Sequence, residues 1–587
     1  KLSEGQRRSM GPGQARLVYG LMVLVVLCWL VSPTTGNVQE PAWVLPQYPF
    51  SFDASRAYEM TRDFVTRFPR RVIGSFEARG STGFIKQHLE PLGYKIDYMN
   101  FDATISGLRH PVGRNVLAFR PGQNPEIIAV LAHYDTARTT RQGAMDDGSG
   151  IGVLLELAKV FSAAPTRRSL LLVATDGEEW GMLGARELAR SYPERSRIVA
   201  ALSLDFVAIG KLNEITLDTV GQMGGYTPPW LREIARLSIQ AQSLPVSEAY
   251  GLREHVERSL LISETDQGPL LNVGIAAINL GSESVDRARQ DAIYHSMQDT
   301  IDNLEVASVN EYGRIAEEIV RTLDGLRTIP VEPMGSYHLK DLIFLSARSM
   351  SILHYLTFLP LPAVLLFYLL NHKRYLRVQR VLRELFAFAG TLIPFLSIYY
   401  CIVLLKLLRV TPAYSLYPAT LKDPVLEHPS KLELTVLASA AVVVAVACFF
   451  ILRLISRKMA RPDFHISKLI LLAILSGVVL IALLHNGYWA VTFLALPVWI
   501  WMLISFSPGA GGRAANRLCI MAAGVPCYVI EWLYATRLGL GWKLAWYEIL
   551  ALSTGLFTFS GFLLASAAIS LGVRFFVIQS QSRADSV

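Results

Sequence analysis

Five short stretches of this sequence carry residues that could do chemistry together. They are His133-Tyr134-Asp135, Met145-Asp146-Asp147-Gly148-Ser149-Gly150, Asp176-Gly177-Glu178-Glu179, Asp205, and Tyr294-His295 ahead of Asp299-Thr300. Every donor among them is an imidazole or a carboxylate, the ligand types that suit zinc, cobalt or manganese. The five cysteines, at 28, 401, 448, 519 and 527, all fall in or beside apolar stretches, so a metal held by these residues has only nitrogen and oxygen to use. Taken singly, each stretch has a structural reading. A His-x-Asp at a strand end is commonly a hydrogen-bonded pair, Asp-Asp-Gly-Ser-Gly a turn with a helix cap, and an isolated Asp a cap as well. A Glu-Glu pair is usually a solvated face. That reading needs the same donor chemistry to recur by coincidence in all five places, whereas one constellation explains them together.

The chemistry that requires this combination is metal-assisted hydrolysis by two divalent cations a few ångströms apart. Two close cations repel, so they need a shared anionic ligand, and each needs further His or carboxylate ligands with room left for water. A carboxylate that binds neither ion must take the proton of the attacking water and pass it to the leaving group. Adjacent glutamates such as Glu178 and Glu179 can divide that work, one facing a metal and the other the substrate.

These residues can meet only if a sheet delivers them. Residues 126–132, 169–175, 198–204 and 274–280 are short apolar runs of the kind buried at the centre of an α/β sheet. Residues 150–163 and 184–191 read as helices covering them, preceded by helices over 54–68 and 81–92. The expected fold is α/β, a mixed, mostly parallel central sheet flanked by helices. His133, Glu178, Glu179 and Asp205 then stand just past the carboxyl ends of successive strands, where open α/β sheets bind ligands.

Taken together, His133-x-Asp135, Asp146-Asp147-Gly148-Ser149-Gly150, Glu178-Glu179-x-Gly181-x-x-Gly184-Ala185, Asp205 and Tyr294-His295 resemble, in order and spacing, the motifs of the co-catalytic di-zinc aminopeptidase family. That family includes leucyl aminopeptidases, glutamate carboxypeptidase II, the glutaminyl cyclases and the endoplasmic-reticulum metallopeptidases, and the likeness covers residues 54–327. The resemblance implies a zinc exopeptidase fold with two Zn2+ ions and a peptide substrate. It implies that Asp146 bridges the metals, with His133 and Asp205 completing one site and Glu179 and His295 the other. Glu178 would be the general base, Asp135 the partner that orients the His133 ring, and Tyr294 an oxyanion stabiliser. An aminopeptidase is the expected activity, with a carboxypeptidase of the same family, a one-zinc glutaminyl-cyclase-like protein and a noncatalytic scaffold as competing readings. One segment departs from the family pattern: Ser263-Glu264-Thr265-Asp266-Gln267 stands where relatives often carry Ser-Asp-His or Ser-Asp-Phe. It borders the expected substrate pocket, so specificity does not carry over.

Composition divides the chain. It is 587 residues long and 52% hydrophobic, with a mean hydropathy of +0.34, too apolar for an average soluble protein. The excess lies in a first run at 17–31, expected to be a signal anchor or signal peptide within residues 1–36, and in about seven runs beyond residue 350. Those runs, roughly 350–370, 385–408, 434–455, 467–485, 488–506, 517–536 and 548–572, predict a membrane domain over 336–587, with the peptidase domain over 37–335. The formal charge of +8 comes largely from membrane-flanking residues such as Lys373, Arg374, Arg377, Arg380, Arg457, Lys458, Arg461, Arg513 and Arg517. This pattern predicts those loops to be cytoplasmic and the peptidase domain extracytoplasmic, and it identifies membrane lipid, not nucleic acid, as the partner of the basic residues. The absence of any Asn-x-Ser/Thr sequon favours a bacterial inner membrane with a periplasmic domain over an endoplasmic-reticulum or vacuolar membrane. His354 and Glu531, ionisable and within or near apolar runs, stand out in the membrane half.

Overall fold

The computed structural model describes residues 12–31, 37–38, 45, 49–103, 111–222, 224–260, 263–330, 335–340, 343–373, 376–408, 431–458, 464–504, 512–537, 544–554 and 557–581. Arg374, Arg461 and the 33–36 segment lie outside these. The chain divides into two compact units, one formed mainly by Gly36–Ala347 and the other by the N-terminal segment with the residues from Arg348 onward.

In the first unit, eight strands form one sheet: β2 (Lys95–Asp102), β3 (Val112–Arg120), β4 (Asn124–His133), β5 (Arg168–Thr175), β6 (Ile198–Leu204), β7 (Leu212–Asp218), β8 (Val246–Glu248) and β9 (Ala277–Ser284). A two-residue strand, β1 (Asn37–Val38), belongs to a separate small sheet with β10 (Tyr337–Lys340) and β11 (Ile343–Leu345). The large sheet runs in the order β2-β3-β5-β4-β6-β9-β7-β8. Its centre, β5-β4-β6-β9, is parallel; β2 runs against β3, β3 against β5 and β7 against β9, while β8 lies parallel to β7.

Burial follows from that order. All eight residues of β5 are buried, as a strand covered on both faces requires. Successive side chains alternate between faces: Leu170, Leu172 and Ala174 join the main core with Ile128, Val130, Leu202 and Leu204. The same core takes in α2 (Ala54–Arg67), α4 (Ser149–Ser162) and α10 (Val306–Gly325), through residues such as Phe64, Leu154, Leu157, Tyr312 and Ile319. Two further helices, α5 (Leu183–Ser191) and α8 (Gln267–Asn272), contact the sheet through β3, β6 and β9 without adding a residue to that core.

Local chemistry sets the helix starts. The Asp53 side chain accepts from Arg56 N and caps α2, and Ser75 accepts from Ala78 N to cap α3 (Phe76–Leu89). The Ser75 cap starts α3 five residues before the expected position 81. The last core strand also shifts, from the expected 274–280 to Ala277–Ser284, because Gly274, at φ +84°, closes the turn after α8.

In the second unit, four helical stretches among the described residues are long and apolar enough to cross a bilayer: Ala347–Asn371, Val378–Leu407, Ile466–His485 and Phe559–Ile578. Val18–Trp29, Leu434–Ala447 and Gly487–Leu503 are shorter apolar helices. The run expected over 517–536 is divided into Gly512–Ala522 and Val525–Arg537. Pro526, which has no N–H to donate, fits only the first turn of a new helix. His354 is buried between the rings of Trp29 and Tyr488, and Glu531 is half-buried. A buried ion pair that the sequence reading passed over, Glu384 with Arg574 at 2.8 Å, joins the helices Val378–Leu407 and Phe559–Gln581.

Candidate metal centre and its family

The parallel strands end together, and the loops that leave them converge. His133 is the last residue of β4. Glu178 and Glu179 sit in one turn of helix just after β5, entered through Gly177 at φ +73° and left through Gly181 at φ +101°. These two left-handed positions allow the chain to reverse tightly and aim both glutamates back at the strand ends. Asp205 follows β6 directly, and Asp146 precedes α4. His295, itself at φ +50°, follows α9 (Arg287–Ile293).

The side chains form two three-donor groups that share one residue. His133, Asp146 and Asp205 offer atoms within 4.8 Å of one another, as do Asp146, Glu179 and His295. Asp146 stands between them: Oδ1 is 3.0 Å from His133 Nε2, and Oδ2 is 2.9 Å from His295 Nε2. His295 Nε2 is also 3.1 Å from Glu179 Oε2, and His133 Nε2 is 3.9 Å from Asp205 Oδ1. Glu178 stands apart from both groups, its Oε2 4.0 Å from His133 Nε2.

Supporting contacts hold this arrangement in place. Asp135 Oδ1 accepts from Glu178 N at 3.0 Å and lies 3.5 Å from His133 Nδ1. Glu179 Oε1 accepts from Ala137 N at 2.8 Å, which leaves Oε2 directed at His295. Asp147 Oδ1 accepts from Gly150 N, in the first turn of α4, at 2.9 Å. Two residues whose loop-holding part the sequence did not reveal support the Asp146 loop. Asp299 accepts from the backbone N–H groups of Ala144, Met145 and Asp146, and buried Arg71 donates to the carbonyls of Tyr134, Gln142 and Gly143. Asp266, in the segment that departs from the family pattern, accepts from Thr175 Oγ1. Tyr294 stacks on His295 with ring centroids 3.7 Å apart and lies 5.7 Å from the Phe206 ring.

The electrostatics are those of a buried site rich in carboxylates. Burial pushes the Glu178 carboxyl well above its usual range, and the nearby charges of Asp205, Asp266 and Glu179 add to that against the pull of His133. Asp205 is raised by burial and by Asp146, and burial lifts Asp299 to about 7. Burial opposes charge on both imidazoles too, yet the carboxylates win: Glu178, Asp135 and Asp146 hold His133 well above its ordinary value, and Glu179 and Asp146 bring His295 to about 10. Asp146 is the exception among the carboxylates: burial opposes its charge, but His133 and His295 hold it below its ordinary range. Outer carboxylates that resist ionisation beside imidazoles that resist deprotonation suit a buried cation site in which protons balance the charge. Asp146 Oδ2 and Glu179 Oε2 are buried and accept no hydrogen bond, so these residues fit a pair of zinc ions by donor type, grouping and unmet acceptor capacity.

The sequence profile of Peptidase family M28 matches residues 115–320, the stretch that carries every one of these donors. Over that stretch this unit matches the M28 peptidases. Among curated relatives, the alkaline phosphatase isozyme conversion protein of Escherichia coli is 27% identical over 219 residues, 33% of this chain and 61% of that protein. Aminopeptidase YwaD of Bacillus subtilis is 24% identical over 223 residues, 37% of this chain and 46% of that protein. A vacuolar membrane protease of Candida glabrata is 28% identical over 155 residues, 25% of this chain and 16% of that protein. The chain thus spans less than two thirds of each of these relatives. Among solved structures, a zinc aminopeptidase from Bacillus subtilis superposes with a TM-score of 0.40 at 15% identity, covering 48% of this chain and 96% of that one. A glutaminyl cyclase from Porphyromonas gingivalis superposes with a TM-score of 0.41 at 19% identity, covering 46% of this chain and 99% of that one.

Proposed function

We propose that the M28 domain is a two-zinc aminopeptidase that removes N-terminal residues from peptides. The observation that carries this reading is the pair of three-donor groups joined through Asp146. His133, Asp146 and Asp205 would hold one zinc and Asp146, Glu179 and His295 the other, and the pair supplies Lewis acidity that lowers the pKa of water and offsets charge developing on the substrate carbonyl.

The chain's own residues do the rest. Glu178, belonging to neither group, accepts the proton of the attacking water and delivers it to the departing amine. Asp135 keeps the His133 ring oriented and, by accepting from Glu178 N, fixes the turn that carries the base. Tyr294, held by its stack on His295, presents its hydroxyl to the oxyanion. Asp135, Asp146, Glu178, Glu179 and Asp205 outnumber the four positive charges that two zinc ions bring. The surplus negative charge favours a substrate with a protonated α-amine at the scissile residue and disfavours a free carboxylate there.

The membrane unit anchors the enzyme, with the M28 domain on the extracytoplasmic side. The aminopeptidase reading is tested on the full-length protein in detergent, with leucine p-nitroanilide and its Nα-acetylated form. Rapid turnover of the free amine, with the acetylated form slower by at least about tenfold, supports it. Equal rates, or turnover of the acetylated form alone, would overturn the requirement for a free α-amine, and turnover of neither together with release of glycine from Nα-acetyl-Leu-Gly would move the assignment to a carboxypeptidase.

A further inference from the structure

The helical unit carries a charge imbalance at one end of two packed helices. Val378–Leu407 and Phe559–Gln581 together hold a single acidic residue, Glu384, with Arg380, Arg383 and Arg574 around it and Lys406 at the far end. Glu384 Oε2 lies 2.8 Å from Arg574 Nη2, which brings the two helices to the same level. Along the same seam Ser570 Oγ donates to the Thr391 carbonyl at 3.2 Å. The ion pair commits the one carboxylate. Arg383, next to Glu384 in the chain, is half-buried, and its Nε and that of Arg574 are both buried with no acceptor among the described residues. Arg380 lies one helical turn before both Arg383 and Glu384 and adds a further positive charge. A guanidinium pressed against apolar helices has given up water, and without a counter-charge that costs free energy.

Depth and surroundings indicate what kind of anion answers this. The apolar stretch of the first helix starts at Leu385, and Arg574 stands four residues before the end of the span Phe559–Ile578. These arginines therefore fall where the hydrocarbon of a bilayer meets its polar heads. Leu382, Leu385 and Phe386, all within one turn of Arg383, are exposed and are spaced to form an apolar stripe along which an acyl chain can lie. We propose that Arg383 and Arg574, supported by Arg380, bind the phosphate of an anionic phospholipid at the seam between these two helices. The planar fork of arginine matches a phosphate, whereas the choline of a zwitterionic lipid brings a cation into a region already short of negative charge. The charge pattern of the sequence puts this end in the cytoplasmic leaflet, where anionic lipids collect. The site is independent of the chemistry proposed for the M28 domain and stands or falls without it.

The test weighs the full-length protein by native mass spectrometry in a neutral detergent with added phosphatidylglycerol or phosphatidylcholine. Wild type is expected to retain phosphatidylglycerol at least about tenfold more strongly, by a margin that salt reduces. Arg383→Gln, which leaves the Glu384–Arg574 pair intact, should cut that margin to within about twofold, while Arg383→Lys keeps part of it as a point charge. Melting temperatures of both variants without lipid should match the wild type. A second reading needs no variant: in nanodiscs the wild-type melting temperature rises with the fraction of phosphatidylglycerol and not with that of phosphatidylcholine. Equal retention of the two lipids, or a folded Arg383→Gln protein that keeps the wild-type margin, overturns the proposal. Displacement of phosphatidylglycerol by equimolar glycerol 1-phosphate would also overturn it, by showing a site for a soluble phosphate.

Discussion

Glu178 and Glu179 are neighbours in the chain to which the proposed mechanism assigns opposite duties, and both lie in one helical turn after β5. Glu179 has its Oε1 occupied by Ala137 N and its Oε2 at His295, whereas Glu178 belongs to neither three-donor group and lies at the edge of the first, 4.0 Å from His133 Nε2. Glu178→Gln is expected to lower kcat by about 10²- to 10⁴-fold while leaving zinc content unchanged. Glu179→Gln should instead lose metal, which elemental analysis reads directly. Asp135→Asn leaves the liganding atoms in place but removes the charge facing His133 Nδ1, so zinc affinity should fall by about 10- to 100-fold in a competition titration with a chelator. The pH dependence follows from the raised imidazoles. Groups that hold protons in the metal-free site must release them to bind zinc, so apparent affinity falls as pH drops. Calorimetry in buffers of different ionisation enthalpy should record that proton release, and a heat independent of buffer would contradict it. The sequence drew attention to its eight candidate residues because imidazole and carboxylate donors recurring in five separate stretches have few structural reasons to do so, and the structure brings His133, Asp146, Glu179, Asp205 and His295 of the eight into the two donor groups. The loop-holding parts of Asp299 and Arg71 were not legible: one carboxylate serving backbone N–H groups, and one arginine serving carbonyls, leave no donor pattern in the sequence.

Elements were legible where both faces are covered. The β4, β5 and β6 runs are continuous apolar stretches, and their strands fall within two residues of the expected bounds. The edge strands β2 and β8 alternate or are too short to read, β2 having only exposed and half-buried positions. The antiparallel β7 mixes buried Leu212, Ile215 and Leu217 with exposed Asn213 and Asp218, a pattern shared with many surface loops. A second buried cluster, also invisible in the sequence, joins α6 (Pro229–Ala241), β8, α7 (Gly251–Leu260) and β10. There Arg232 pairs with Glu248 at 3.0 Å and with Glu254 at 3.2 Å, Glu254 also pairs with Arg258, and Arg232 Nη2 meets His338 Nδ1 at 3.0 Å. Burial opposes the Glu254 charge, but Arg232, Arg258 and His338 overcome it and hold this carboxyl below its ordinary 4.5. With the folded pKa depressed, the stabilisation is present above about 4.5 and is lost as pH falls through the folded value. Glu254→Gln leaves two buried arginines short of a counter-charge and should destabilise by about 3–5 kcal/mol. A thermal melt at neutral pH checks this, and an unchanged midpoint would contradict it.

The chain joins an M28 domain to helices that suit a bilayer, and the orientation proposed for it rests on the charge pattern. Single cysteines placed at exposed Arg62, in the M28 domain, and at Lys373, just after the first long helical stretch, should label from opposite sides of a sealed vesicle. Labelling from the same side would overturn the topology. Within the helical unit, Glu384 and Arg574 are buried partners, and a lone charge left there is costly. Arg574→Leu alone should lower the melting temperature more than the double change with Glu384→Leu.

The central claim is that Asp146 joins two metal positions beside a base that binds neither. The measurement that tests it most directly is zinc per chain, by elemental mass spectrometry, on the purified full-length protein, its Glu178→Gln variant and its Asp146→Ala variant, with leucine p-nitroanilide turnover recorded on each. The account predicts two zinc ions and activity in the wild type, two zinc ions without activity in Glu178→Gln, and loss of both ions in Asp146→Ala. One zinc or none in the active wild type, or two retained without Asp146, would contradict it.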